Sequence, residues 1–147
     1  MKNIFFILAF LFVSSSAFGQ KYFKNPSGGD NKWSNGANWT NGKPTAQNAK
    51  VVIKAGNPIL DVNVTLGQIK LAADAANDVT ITAESGKTLT FSGKNTTELL
   101  VNGHTGKKLT MDLPMVVSSS DNENIKINNE NAGSGTSANI TFGSSST

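Results

Sequence analysis

Few residues in this chain could carry chemistry, and they lie far apart. The single histidine, His104, sits in the turn Asn102-Gly-His-Thr-Gly106, and the 147 residues contain no cysteine. Structural and catalytic zinc sites take three or four Cys, His or carboxylate ligands, so this inventory points away from zinc. A Ser-His-Asp device needs its histidine held rigidly between two partners, a poor role for a turn residue. Two acid pairs are close in sequence, Asp74/Asp78 and Asp121/Glu123. Glycoside cleavage needs two carboxyl groups converging at roughly 5–9.5 Å, yet both pairs fall among turn formers, where exposed acids are the plainer reading. Asp121-Asn-Glu-Asn124 begins like a calcium loop but lacks the glycine and terminal glutamate of that pattern. No glycine-rich phosphate loop follows a strand. The expectation is a non-enzymatic chain without catalytic residues, metal or cofactor.

The remaining candidates are aromatic. Residues 32–44 read KWSNGANWTNGKP, placing Trp33 and Trp39 six apart in a segment of Asn, Gly, Ser, Thr and Lys. Two roles compete for them. They could form an exposed platform on which a sugar ring stacks. They could instead cover one end of a β-structure, each indole burying on the order of 200 Å². Their place just before the first strand-forming run, Val51-Val52-Ile53, favours the cover. Asn35-Gly36 and Asn41-Gly42 are read as the sharp turns such a loop needs.

The chain opens MKNIFFILAFLFVSSSAFGQ. Lys2, the apolar run Ile4–Val13 and the small-residue stretch Ser14–Gly19 make the three parts of a secretory signal peptide, with cleavage expected after Gly19. The run is about half the roughly 20 residues that span a bilayer, so no membrane insertion of the mature chain is expected. Residues 1–19 are therefore set apart as leader, and secretion to the extracellular space or outer cell surface is expected. All 13 basic residues are lysine, against 10 acids, and the lysines are scattered along the sequence without interleaved aromatics. That distribution argues against nucleic acid and reads as a solvated surface. The sequons at Asn38, Asn63, Asn95 and Asn139 are expected by chance in so Asn- and Thr-rich a chain.

Residues 69–111 carry a regular beat. Ile69-Lys70-Leu71, Val79-Thr80-Ile81, Leu89-Thr90-Phe91, Leu99-Leu100-Val101 and Leu109-Thr110-Met111 each begin ten residues after the last. Four of the five alternate apolar–polar–apolar, the pattern of a strand with one buried face. Gly, Asn, Asp and Ser fill the intervals, and no mature segment sustains helical periodicity beyond about two turns. The chain is all-β. An antiparallel β-sandwich would fit the spacing. A right-handed parallel β-solenoid fits better, because the register holds over five units and the core residues are small aliphatics. Asn and Gly also tolerate the left-handed backbone of stacked turns. Two ten-residue units, about twenty residues, are expected per coil.

Within Gly29–Leu71, Trp33, Asn38-Trp39, Gly42, Pro44, Asn48 and Val51–Ile53 follow a familiar order. The segment resembles the opening of secreted bacterial parallel β-helix proteins of the autotransporter-passenger-like adhesin kind. It is also similar to the opening of the eight-glycine extracellular domain. Gln47-Asn48 stands where such sequences often carry two aspartates. The resemblance implies an N-terminal cap over residues 20–48 and solenoid coils over 49–147. It further implies a structural or adhesive surface module whose partners are surface glycans or matrix polymers. The end at Gly143–Thr147, with no closing cap, is read as the first part of a longer array. The alternatives are the N-terminal part of a carbohydrate-active β-helix enzyme, or a small carbohydrate-binding sandwich using Trp33 and Trp39.

Overall fold

Alternating triplets bounded by turn formers give short strands that each bury one row of side chains. In the computed structural model the described residues are 20–25, 29–47, 49–92, 98–102, 106–118, 126–129 and 139–142. Strands β1 (Lys21–Phe23) and β2 (Trp39–Thr40) come first. The first coil is β3 (Lys50–Ile53), β4 (Ile59–Leu60) and β5 (Val64–Leu66). The second is β6 (Gln68–Leu71), β7 (Val79–Ala83) and β8 (Leu89–Ser92). The third is β9 (Glu98–Asn102), β10 (Lys108–Asp112) and β11 (Met115–Ser118). A fourth begins with β12 (Lys126–Asn129) and β13 (Asn139–Phe142).

From β3 onward, successive strands go to different sheets. The first sheet has the order β12-β9-β6-β3-β1-β2, the second β13-β10-β7-β4 and the third β11-β8-β5. All neighbours among β3–β13 pair in parallel, and the one antiparallel pair among the described strands is β1 with β2. The fold is a parallel β-solenoid with three walls, and the antiparallel sandwich is excluded. The ten-residue beat is thus one wall, and the expectation of two units per coil is corrected to three. Val79 lies beside Leu109, 30 positions on, and Ile69 beside Leu100, 31 positions on. The first coil is tighter, with Lys50 beside Gln68 only 18 positions later.

Inside the three walls the apolar residues stack by register. Val51, Ile69 and Leu100 form one column, Val79 and Leu109 a second, and Leu66 beneath Phe91 a third; all are buried. Removing each such side chain from water stabilises the fold by about 1.5–3 kcal/mol. The aliphatic choice follows from geometry, since three walls closing on one another leave a narrow interior that two or three large rings per coil would overfill.

The corners are fastened by side chains rather than by chance turns. Asn57 Oδ1 accepts from the Thr80 backbone N–H at 2.9 Å, Asn63 Oδ1 from Thr88 N–H at 3.1 Å, and Asp78 Oδ1 from Lys108 N–H at 3.0 Å. In each case a corner residue of one coil satisfies an amide of the next. The abundance of Asn and Asp in the turns has this as its physical cause, because a backbone N–H at a corner has no ladder partner.

Candidate functional site: the tryptophan cap

The end of a solenoid exposes an apolar cross-section and unpaired strand edges, so something must cover it. Here β1 adds to β3 in parallel, pairing Lys21–Phe23 with Val51–Ile53, and β2 folds back against β1. Lys32 forms a parallel bridge to Ile59, extending the second sheet as well. The cap therefore blocks two walls with its own backbone.

The rings close the middle. Phe23, Trp33 and Trp39 belong to the continuous core, with Trp33 2% and Trp39 4% exposed. Trp33 and Trp39 meet edge-on at 4.8 Å between centroids, and Phe23 meets Trp39 the same way at 5.1 Å, the favoured geometry for aromatic pairs. Trp39 Nε1–H donates to the Trp33 carbonyl at 2.9 Å, which satisfies the buried indole. A stacking platform needs an open ring face, and neither indole has one.

Polar residues hold the loop that carries the rings. Asn38 is fully buried and its Nδ2 donates to Asp30 Oδ1 and to the Lys32 carbonyl, both at 2.9 Å. Asp30 Oδ1 also accepts from Lys32 N–H at 3.0 Å and Asn35 Nδ2 at 3.1 Å. These donors hold the Asp30 carboxyl below the ordinary value of 3.8, the Asn38 amide contributing most, ahead of Lys32 N–H and Asn35, against a small opposing effect of desolvation. Across the coil, Asp61 Oδ1 accepts from Ser34 N–H at 2.9 Å, and its Oδ2 accepts the Ser34 hydroxyl. Burial pushes the Asp61 carboxyl up, but the two Ser34 donors, its own N–H and nearby Lys32 outweigh that and lower it. Lys32 pairs with Glu84 at 3.3 Å, and that carboxylate raises the lysine above its usual range.

Asn35-Gly36 is not the left-handed turn its sequence suggests. Asn35 has φ −75° and caps the 3₁₀ turn Gly36–Asn38, its Oδ1 accepting from Ala37 N–H at 3.0 Å. Asn41 and Gly42, with φ +65° and +74°, do make the left-handed turn.

The acids considered for catalysis are separated in role. Asp74 bonds Lys54 at 2.9 Å, while Asp78 caps the β10 amide. His104, Asp121 and Glu123 lie outside the described residues, as do residues 1–19 and Asn48. Among the described residues no three His, Cys, Asp or Glu side chains are grouped as a metal site would require, and no helix is long and apolar enough to cross a membrane. The sequon at Asn38 has its amide locked inside the cap. Sequence reasoning missed the hub at Asp30, although an Asp two residues before a strand-bridging Lys32 is a local turn signal. Ser34 with Asp61 gave no local signal, being 27 positions apart.

The site is thus a sealed cap whose loop is held by the Asp30 and Asp61 carboxylates. The chain matches no known protein family, no curated protein and no solved structure.

Proposed function

We propose that this chain is a non-enzymatic structural and adhesive module, exported and displayed at or beyond the cell surface. One observation carries the reading: a sealed cap surmounts three walls that each present polar residues outward, with Lys70, Thr80, Thr110, Thr65 and Thr90 alternating with buried neighbours. Such a body is rigid along its axis, because every coil is hydrogen-bonded to the next, and it offers an extended polar surface for contact. The leader-like start supports export.

The test is to express the full chain in a bacterial host and fractionate it. Recovery outside the cytoplasm with Gln20 at its N-terminus, together with increased attachment of the cells to glycan-coated surfaces, is the expected result. Retention of the intact chain in the cytoplasm would overturn the reading.

A further inference from the structure

Four lysines far apart in the sequence come together on one wall. Lys24 follows buried Phe23, Lys50 precedes buried Val51, Lys54 follows buried Ile53, and Lys70 stands between buried Ile69 and Leu71. Strand alternation therefore turns all four outward from the first sheet. The ladder continues past the strand ends: Lys54 N–H donates to the Phe23 carbonyl and Lys24 N–H to the Asn38 carbonyl, both at 2.9 Å. Lys24 and Lys54 are thus on adjacent strands, about 4.8 Å apart at the backbone, and Lys50 lies about 13 Å from Lys54 along β3.

Like charges on adjacent strands cost stability. Lys54 pairs with Asp74 and also lies 5.2 Å from the centre of the Tyr22 ring. Lys24 and Lys50 have no ion pair among the described residues. The other two walls show no such concentration. The second presents Thr80, Thr82, Thr110 and Asp112 with Lys108 at its start and Lys32 paired to Glu84 at its head, and the third Thr65, Thr90 and Val116.

We propose that this lysine wall binds an acidic polysaccharide, its carboxylates or sulfates lying across β1, β3 and β6. The inference rests on the adhesive reading above and names its partner class. A wall with ammonium groups on successive strands suits an extended chain with a charge on each repeating unit. Lysine meets carboxylate and sulfate as a point charge. The chain has no arginine, whose planar fork would fix a carboxylate or phosphate in a bidentate geometry. Base stacking would need open aromatic faces, and the ring on this wall, Tyr22, is half-buried.

The experiment uses the chain without its leader on immobilised polygalacturonate and dextran sulfate, with neutral dextran as control. Binding to both polyanions, falling steeply with salt, is expected, with none to neutral dextran. The triple substitution Lys24→Gln/Lys50→Gln/Lys70→Gln should weaken binding about tenfold while leaving the melting temperature near that of the parent. Lys87→Gln/Lys108→Gln, at other corners, should change it little. Equal loss in both variants would reduce the effect to net charge and overturn the site. Tighter binding to single-stranded DNA or to phosphatidylglycerol vesicles than to either glycan would overturn the partner class. An exported chain that ignores both polyanions would overturn this inference alone and leave the structural-module reading standing.

Discussion

The indole N–H of Trp39 donates to the backbone carbonyl of Trp33 at 2.9 Å, and the two rings meet edge-on above the first coil. One tryptophan thereby fixes the loop that positions the other. Trp39→Phe keeps most of the apolar contact but strands a buried carbonyl, so a loss of about 1–3 kcal/mol is expected. Trp39→Ala should cost about 3–5 kcal/mol. Denaturant titration followed by circular dichroism measures both. In the parent, tryptophan emission should be blue-shifted and unmoved by added glycans; quenching by a neutral oligosaccharide would contradict the sealed cap.

The corner fastenings should act independently. Asn63→Ala and Asp78→Ala each remove one side-chain acceptor from a backbone amide of the next coil, on different corners. Each should lower stability by about 1 kcal/mol, and the double variant by close to the sum. Thermal melts of the two single variants and the double variant decide this.

Gly56 stands at φ +81°, and a Cβ there would come within 2.6 Å of Asn25 Cβ and 2.8 Å of Asn31 Oδ1. Gly56→Ala therefore meets both a disfavoured backbone and a clash, and about 1–3 kcal/mol of destabilisation is expected. Gly86, at φ +74°, has nothing within 4 Å of the same position. Gly86→Ala should cost less, and the difference between the two variants isolates the contact between Gly56 and the cap.

The cap should also set the acid limb of stability. Asp30 and Asp61 are both lowered from the ordinary value of 3.8. Their ionised forms are favoured by the fold, so the stability they contribute is present above 3.8 and lost as pH falls through their lower folded values. The melting temperature should fall in that range, and Asp30→Asn or Asp61→Asn should flatten the fall. Lys32 has the opposite sign, being raised above 10.5. Its contribution is complete below 10.5 and disappears as pH rises through the higher folded value, so Glu84→Gln should flatten the alkaline limb.

Much of the wall structure was legible from local pattern. Val79-Thr80-Ile81 and Leu109-Thr110-Met111 announce strands with one buried face, and Val79 and Ile81 are in fact buried while Thr80 is not. Coil size was harder to read, because a ten-residue spacing marks a side and the number of sides is set by how corners turn. The Leu99-Leu100-Val101 triplet illustrates the point: Ile69 is in register with Leu100 rather than Leu99, and β12 also skips Leu99, pairing Lys126 with Glu98 and Ile127 with Leu100.

For this protein the amino-acid sequence by itself determined the all-β class, the aliphatic interior and the tryptophans' place at the head of the first coil. It could do so because alternation and turn chemistry act between residues a few positions apart. Only the tertiary structure decided that three walls close each coil, that Asp61 reaches back to Ser34, and that Lys24, Lys50, Lys54 and Lys70 share one face. Those relationships arise when a whole coil brings distant positions onto neighbouring strands, and no local preference encodes which positions will meet.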